Sequence, residues 1–138
     1  MFRALLVLCI LFVGMFGVFV YTGLARDREF QQRVAEGDTA IRDGQTFLAI
    51  EAYSGALALD PDSMVAYLKR GETYHRHGDL PAAFRDLSMA AQRDPGATRP
   101  HERLGDVTYE LERYEDAVVH YASYVELDDQ NASVLYKL

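Results

Sequence analysis

Lys69, Arg76, Arg99 and Arg103 are the residues of this sequence best suited to holding an anionic group. A guanidinium forks onto a carboxylate through two parallel hydrogen bonds, and an ammonium adds a compact point charge. On helical spacing these four, with Tyr109, share faces with Asp38, Ile41, Arg42, Glu72, His75 and Asp106, so basic and acidic side chains alternate along them. Catalytic chemistry has much less to work with. His75 and His77 point to different helix faces, and neither they nor His101 and His120 have a carboxylate or cysteine at a ligand spacing that would hold a metal. No glycine-rich phosphate loop occurs, the only cysteine is Cys9, and Asn131-Ala132-Ser133 is a formal glycosylation sequon short enough to arise by chance. The residues predict no enzyme, no cofactor, no metal and no small-molecule substrate.

The elements that must position these side chains are set by a period. Gly37, Gly71 and Gly105 lie 34 residues apart, as do Ala49, Ala83 and Ala117; Tyr53, Leu87 and Tyr121; and Asp60, Asp94 and Asp128. Turns at Gly44 and Gly78 keep the same register. A period in this range marks a stacked helical array. Within a block, Ala66 to His77 and Pro81 to Arg93 are apolar-periodic stretches either side of Gly78-Asp79, so each block is a helical hairpin. Pro61 and Pro95 end the second helix, whereas Pro81 and Pro100 fall near helix starts, where a missing donor is harmless. Glycine inside a helix costs about 1 kcal/mol relative to alanine. Its recurrence at 37, 71 and 105 therefore predicts close approach of another backbone, with the alanine column as the partner surface. The blocks run 30–63, 64–97 and 98–131; 132–138 reads as the start of a further helix, a truncated repeat or a cap.

These columns resemble the tetratricopeptide repeat family over all of 30–131. Tyr67, Gly71, Tyr74, Gly78, Ala83, Leu87, Ala90 and Pro95 follow the family pattern in the second block. Leu104, Gly105, Tyr114, Ala117 and Tyr121 do so in the third, and Gly37, Ala49, Tyr53, Ala56 and Pro61 in the first. Arg33, Glu36 and Ala40 stand where large apolar residues are usual, and Tyr124 and Asp129 depart from the pattern in the third. The resemblance implies an all-α fold, a right-handed α-solenoid of three helix-turn-helix repeats, with first helices lining a concave groove for extended or helical peptides. One subfamily clamps a chaperone's C-terminal carboxylates with five residues, at positions that fall here on Val34, Asp38, Lys69, Arg99 and Arg103. Only the last pair matches, since Val34 is uncharged and Asp38 repels a carboxylate. The expectation left is a groove in which Lys69, Arg99 and Arg103, with Arg76 and Tyr109, hold an acidic or C-terminal segment of a protein partner.

Residues 4–25 contain no charge over 22 positions, roughly 33 Å of helix and enough to cross a bilayer core. Arg3 precedes the run, Tyr21 sits near its end and Arg26-Asp27-Arg28-Glu29 closes it. The run predicts an N-terminal transmembrane helix within a 1–29 anchor and linker, retained rather than cleaved after Gly23-Leu24-Ala25. A count of flanking basic residues favours a cytoplasmic repeat domain; the two-residue tail and long apolar run resemble exported proteins, and a periplasmic repeat domain is the expectation adopted.

The chain totals −7, with −4, +1 and −6 in the three blocks. An acidic domain without clustered arginines and exposed aromatics predicts no nucleic-acid partner. The reading as a whole is a single-pass, membrane-tethered adaptor that binds protein partners, the alternative being a structural subunit of a membrane complex with the repeats as a cap.

Overall fold

Six α-helices follow one another in the computed structural model, which describes the backbone of residues 2–128 and the side chains at 12, 15–17 and 20–128. They are α1 (Phe2–Arg42), α2 (Thr46–Leu59), α3 (Met64–His77), α4 (Leu80–Arg93), α5 (Thr98–Glu110) and α6 (Tyr114–Leu127). Local chemistry explains their ends. Ser63 Oγ accepts a hydrogen bond from the Ala66 amide at the start of α3 (3.3 Å), and Asp79 Oδ1 accepts from Ala82 at the start of α4 (3.1 Å). Both satisfy amides that a helix leaves unpaired in its first turn. Asp60 and Asp94 close the hairpins by accepting from the amides of Asp62 (3.2 Å) and Gly96 (3.1 Å), turning the chain towards the next helix.

The three tight turns share one register position, held by Gly44, Gly78 and Glu112. Their φ angles are 73°, 84° and 58°, all left-handed. Glycine adopts this region without penalty, whereas a residue with a Cβ pays about 1–2 kcal/mol. Glu112→Gly is expected to stabilise the domain by about 0.5–1 kcal/mol once glycine's greater freedom in the unfolded chain is deducted. Urea unfolding checks this, and a lowered midpoint would contradict it.

Helices pair as α1–α2, α3–α4 and α5–α6, each pair stacks on the next through α2–α3 and α4–α5, and α3 also touches α5. Consecutive first helices thus line one surface. The central core joins Leu68, Ala83, Leu87, Ala90, Leu104 and Val107, with partly buried Tyr67, Tyr74 and Phe84 against it. Ala49, Ala83 and Ala117 are buried, but they are not what faces the glycines. A Cβ on Gly37 would meet the ring of Tyr53, one on Gly105 the ring of Tyr121, and one on Gly71 would lie 2.9 Å from Leu87 Cγ. The close approach predicted for the glycine column is therefore made chiefly by large side chains of the paired second helix, joined at Gly71 by the Leu87 backbone nitrogen at 3.2 Å, and each alanine packs beside that same large side chain. Tyr124, in place of a small residue, is buried beside Ala117 and Tyr121.

Between α3 and α4 lies a polar contact that the period does not show. Arg70 donates to Asp86 through Nε (2.6 Å to Oδ2) and Nη2 (3.1 Å to Oδ1), and its Nη1 donates to Ser54 Oγ of α2 (2.9 Å). Asp86 is 1% exposed. The bridge joins three consecutive helices.

The membrane expectations are corrected. Among the described residues no helix is long and apolar enough to cross a membrane. The apolar run is no separate element, since α1 continues from it without a break through Arg26, Asp27, Arg28 and Glu29 into the first hairpin. Arg26, expected to border a bilayer, instead donates from Nε to the Leu59 carbonyl at the end of α2 (2.6 Å). The single-pass assignment and the periplasmic placement therefore do not stand. Most side chains of residues 4–19, Cys9 included, and residues 129–138 with the sequon and the proposed further helix, lie outside the described residues.

Candidate functional site

The surface lined by α1, α3 and α5 is tied together by charged pairs that run from each first helix to the next. Lys69 Nζ donates to Asp38 Oδ1 (2.6 Å), Arg99 donates to Glu72 through Nε and Nη2 (2.7 and 3.0 Å), and Arg103 Nε adds a third bond to the same Glu72 Oε1 (3.0 Å). Arg103 Nη1 also lies 3.4 Å from Asp106 Oδ2, and His75 Nε2 lies 2.8 Å from Glu110 Oε1. Behind the rail, Tyr53 Oη donates to Asp38 (2.7 Å) and Tyr121 Oη donates to Asp106 (2.8 Å).

This wiring moves the titration of its members. Burial pushes the Asp38 carboxyl up, but the hydrogen bonds from Lys69 and Tyr53 outweigh it and hold the group below its ordinary value. Burial, and then the hydrogen bond to Asp38, pushes the Tyr53 hydroxyl well above the usual phenol range, so it stays a donor. Burial opposes the charge on Arg103, yet the bond to Glu72 overrides it and raises the guanidinium above its ordinary value. Opposite charges at hydrogen-bond distance decide the direction at Asp38 and Arg103, whereas at Tyr53 burial and a neighbouring carboxylate both disfavour the phenolate.

A cavity of about 600 Å³ opens on this surface, lined by Asp38, Ile41, Arg42, Tyr53, Lys69, Glu72, His75, Arg76, Arg99 and Arg103. Five basic residues face two carboxylates, so the lining carries +3 in a chain that totals −7. Of the expected site residues, the structure brings Lys69, Arg76, Arg99 and Arg103 to this one cavity. Tyr109 is not in its lining; its ring packs edge-on against Tyr114, with centroids 5.4 Å apart. Val34, which falls at one of the clamp positions, is buried with Ala56, Leu57 and Ala66. Arg42 and Tyr53 join the lining, although the sequence offers them only as a face neighbour and a packing column. The signal that could have found them was their place three to four residues, or one hairpin, from Asp38.

His77 and His120 have packing roles. His77 stands edge-on to Phe47 at 4.9 Å, and His120 edge-on to Phe84 at 6.5 Å. Burial, then the neighbouring His101, holds His120 below its ordinary pKa. Among the described residues no group of three or more His, Cys, Asp or Glu side chains is placed to hold a metal.

Comparison with known proteins bears on the fold. A family model described as "TPR repeat" matches residues 37–78. The chain is 34% identical over 101 residues to "Small glutamine-rich tetratricopeptide repeat-containing protein 2" of Mycosarcoma maydis, covering 73% of this chain and 29% of that protein. It is 28% identical over 87 residues to "Hsp70-Hsp90 organizing protein 3" of Arabidopsis thaliana, covering 63% and 16%. The chain thus spans less than a third of the length of either curated relative. Among solved structures, "First TPR of Spaghetti (RPAP3) bound to HSP90 peptide SRMEEVD" superimposes with a TM-score of 0.77 at 22% identity, over 80% of this chain and 88% of that one. With the repeat register, the paired helices and these likenesses in agreement, the helical hairpins that carry the basic cavity are tetratricopeptide repeats.

Proposed function

We propose that this chain is a protein–protein interaction adaptor whose first-helix surface holds an acidic segment of a partner. The observation that carries the proposal is the concentration of Arg42, Lys69, Arg76, Arg99 and Arg103 around one cavity of an otherwise acidic chain. A cleft of one sign raises the local concentration of oppositely charged ligand and speeds its encounter. A related fold was solved with the acidic peptide SRMEEVD, which supports an acidic peptide as the class of ligand here.

The geometry favours acidic side chains over a free C-terminus. The corner where the chaperone-clamp pattern needs a lysine and an asparagine has Val34, which is buried, and Asp38, which is a carboxylate already hydrogen-bonded to Lys69 and Tyr53. Fluorescence anisotropy with labelled SRMEEVD is the test, using the free acid and the C-terminal amide. The two forms are expected to bind within about twofold of each other. Exposed charge pairs contribute about 0–1 kcal/mol each, so the triple Lys69→Ala, Arg99→Ala, Arg103→Ala is expected to weaken binding by about tenfold. Added salt should weaken the parent more than the triple variant. Unchanged affinity in a triple variant of native helicity would refute the reading.

A further inference from the structure

Positions 38, 72 and 106 form one register column, filled by Asp38, Glu72 and Asp106. The column that supports them from the second helix is 53, 87 and 121, filled by Tyr53, Leu87 and Tyr121. In the first and third hairpins the tyrosine hydroxyl donates to the acid, and in the first the same Asp38 oxygen also takes Lys69 from the next hairpin. In the middle hairpin Leu87 has no hydroxyl. Glu72, also one methylene longer than aspartate, reaches across to α5 and takes three hydrogen bonds from Arg99 and Arg103. The two guanidiniums that an anionic partner would use are thus already occupied by a carboxylate of the protein itself.

We propose that Glu72 is a specificity-determining residue of this groove, a built-in competitor that a partner must displace. The inference rests on the adaptor reading above and names its ligand class: a polypeptide segment with two adjacent acidic side chains. Displacement is selective for a physical reason. A single incoming carboxylate exchanges for an equivalent one that is tethered, and tethering gives Glu72 an effective concentration in the millimolar range or above. It gains little. Two adjacent carboxylates can take Arg99 and Arg103 separately, each guanidinium offering its own fork, where Glu72 must share one Oε1 between both Nε donors. The Glu72 side chain is 17% exposed and those of Arg99 and Arg103 are 59% and 33% exposed, so the ligand can reach the arginines from solvent without unfolding a helix.

The test uses two amidated, labelled heptapeptides, one with adjacent glutamates and one in which the second glutamate is glutamine. Anisotropy titrations are run on the parent, on Glu72→Gln, and on Glu72→Gln combined with Arg99→Ala and Arg103→Ala. The parent is expected to prefer the two-glutamate peptide by about tenfold. Glu72→Gln keeps the shape but removes the competing charge, so it should tighten both peptides, the one-glutamate peptide most, and narrow the preference to about threefold or less. The combined variant should lose that gain. If Glu72→Gln leaves both affinities and their ratio unchanged while the triple Lys69→Ala, Arg99→Ala, Arg103→Ala still weakens binding, the competitor proposal is overturned and the groove reading survives. If neither peptide binds the parent or Glu72→Gln, both fall together.

Discussion

Asp86→Ala is expected to destabilise the domain by about 3–5 kcal/mol, because it strands the Arg70 guanidinium in a largely buried site without its partner. The Arg70 side chain is 17% exposed and Asp86 1%, so solvent cannot replace the two hydrogen bonds that are lost. Burial works against the charge on Arg70, yet the bond to Asp86 outweighs it and raises the group above its ordinary value, which marks the pair as mutually dependent. Arg85, 3.6 Å from Asp86 but with a largely exposed side chain, has solvent to fall back on and adds little. Removing both buried charges is different from removing one. Arg70→Met with Asp86→Leu should lie closer to the parent than either Arg70→Met or Asp86→Leu alone, since a buried ion pair exchanged for apolar residues of similar volume is often close to neutral. Urea unfolding followed by circular dichroism gives all four midpoints. Single-variant costs that simply add in the double would show that the two residues act independently, contrary to the bidentate geometry.

Two glycine-to-alanine substitutions, both within helices, are expected to have opposite signs. At Gly105 the new Cβ would fall on the Tyr121 ring, whose hydroxyl is fixed by Asp106. Overpacking of this kind costs typically 1–3 kcal/mol, against the gain of about 1 kcal/mol from alanine's helix preference. A net loss is expected, and a fall in midpoint is its readout. At Gly23, in α1, nothing lies within 4 Å of the added Cβ. Only the propensity gain remains there, so the variant should be neutral or more stable. If Gly105→Ala matched Gly23→Ala, the glycine column would have no packing role in the third hairpin.

What the sequence reveals of this protein is what repeats. The glycines at 37, 71 and 105, the alanines at 49, 83 and 117 and the turns after each first helix stand at a fixed period because each hairpin solves the same packing problem, so the α-hairpin array is legible before any coordinates. The identity of the glycines' neighbour is not, because a period of 34 aligns Gly71 with several columns at once and only the helix rotation selects Leu87 over Ala83. Arg70 and Asp86 are illegible for the opposite reason: their register partners, Glu36 and Leu104 for the one and Ala52 and His120 for the other, form no recurring pair. At the cavity, residue types pointed to Lys69, Arg76, Arg99 and Arg103. They could not show that Glu72 holds two of them, since that depends on how α5 stacks against the hairpin that carries Glu72. Helical spacing alone also does not separate the cavity from its surroundings: Tyr109, three residues beyond Asp106, packs on Tyr114 outside the lining. The apolar run misled for a related reason: hydropathy reports what a segment avoids and says nothing of the helix into which it continues.

That continuity gives α1 a mechanical property. At 1.5 Å per residue, its 41 residues make a rod of about 60 Å, and the Arg26 bond to Leu59 bolts the rod to the first hairpin. The direction in which the cavity looks is then a matter of phase. Each residue inserted ahead of Arg26 would advance the rod by about 1.5 Å and turn everything beyond it by about 100°. Two inserted residues would carry the basic cavity more than halfway round the axis, and seven would bring it nearly back to its starting azimuth, only farther out.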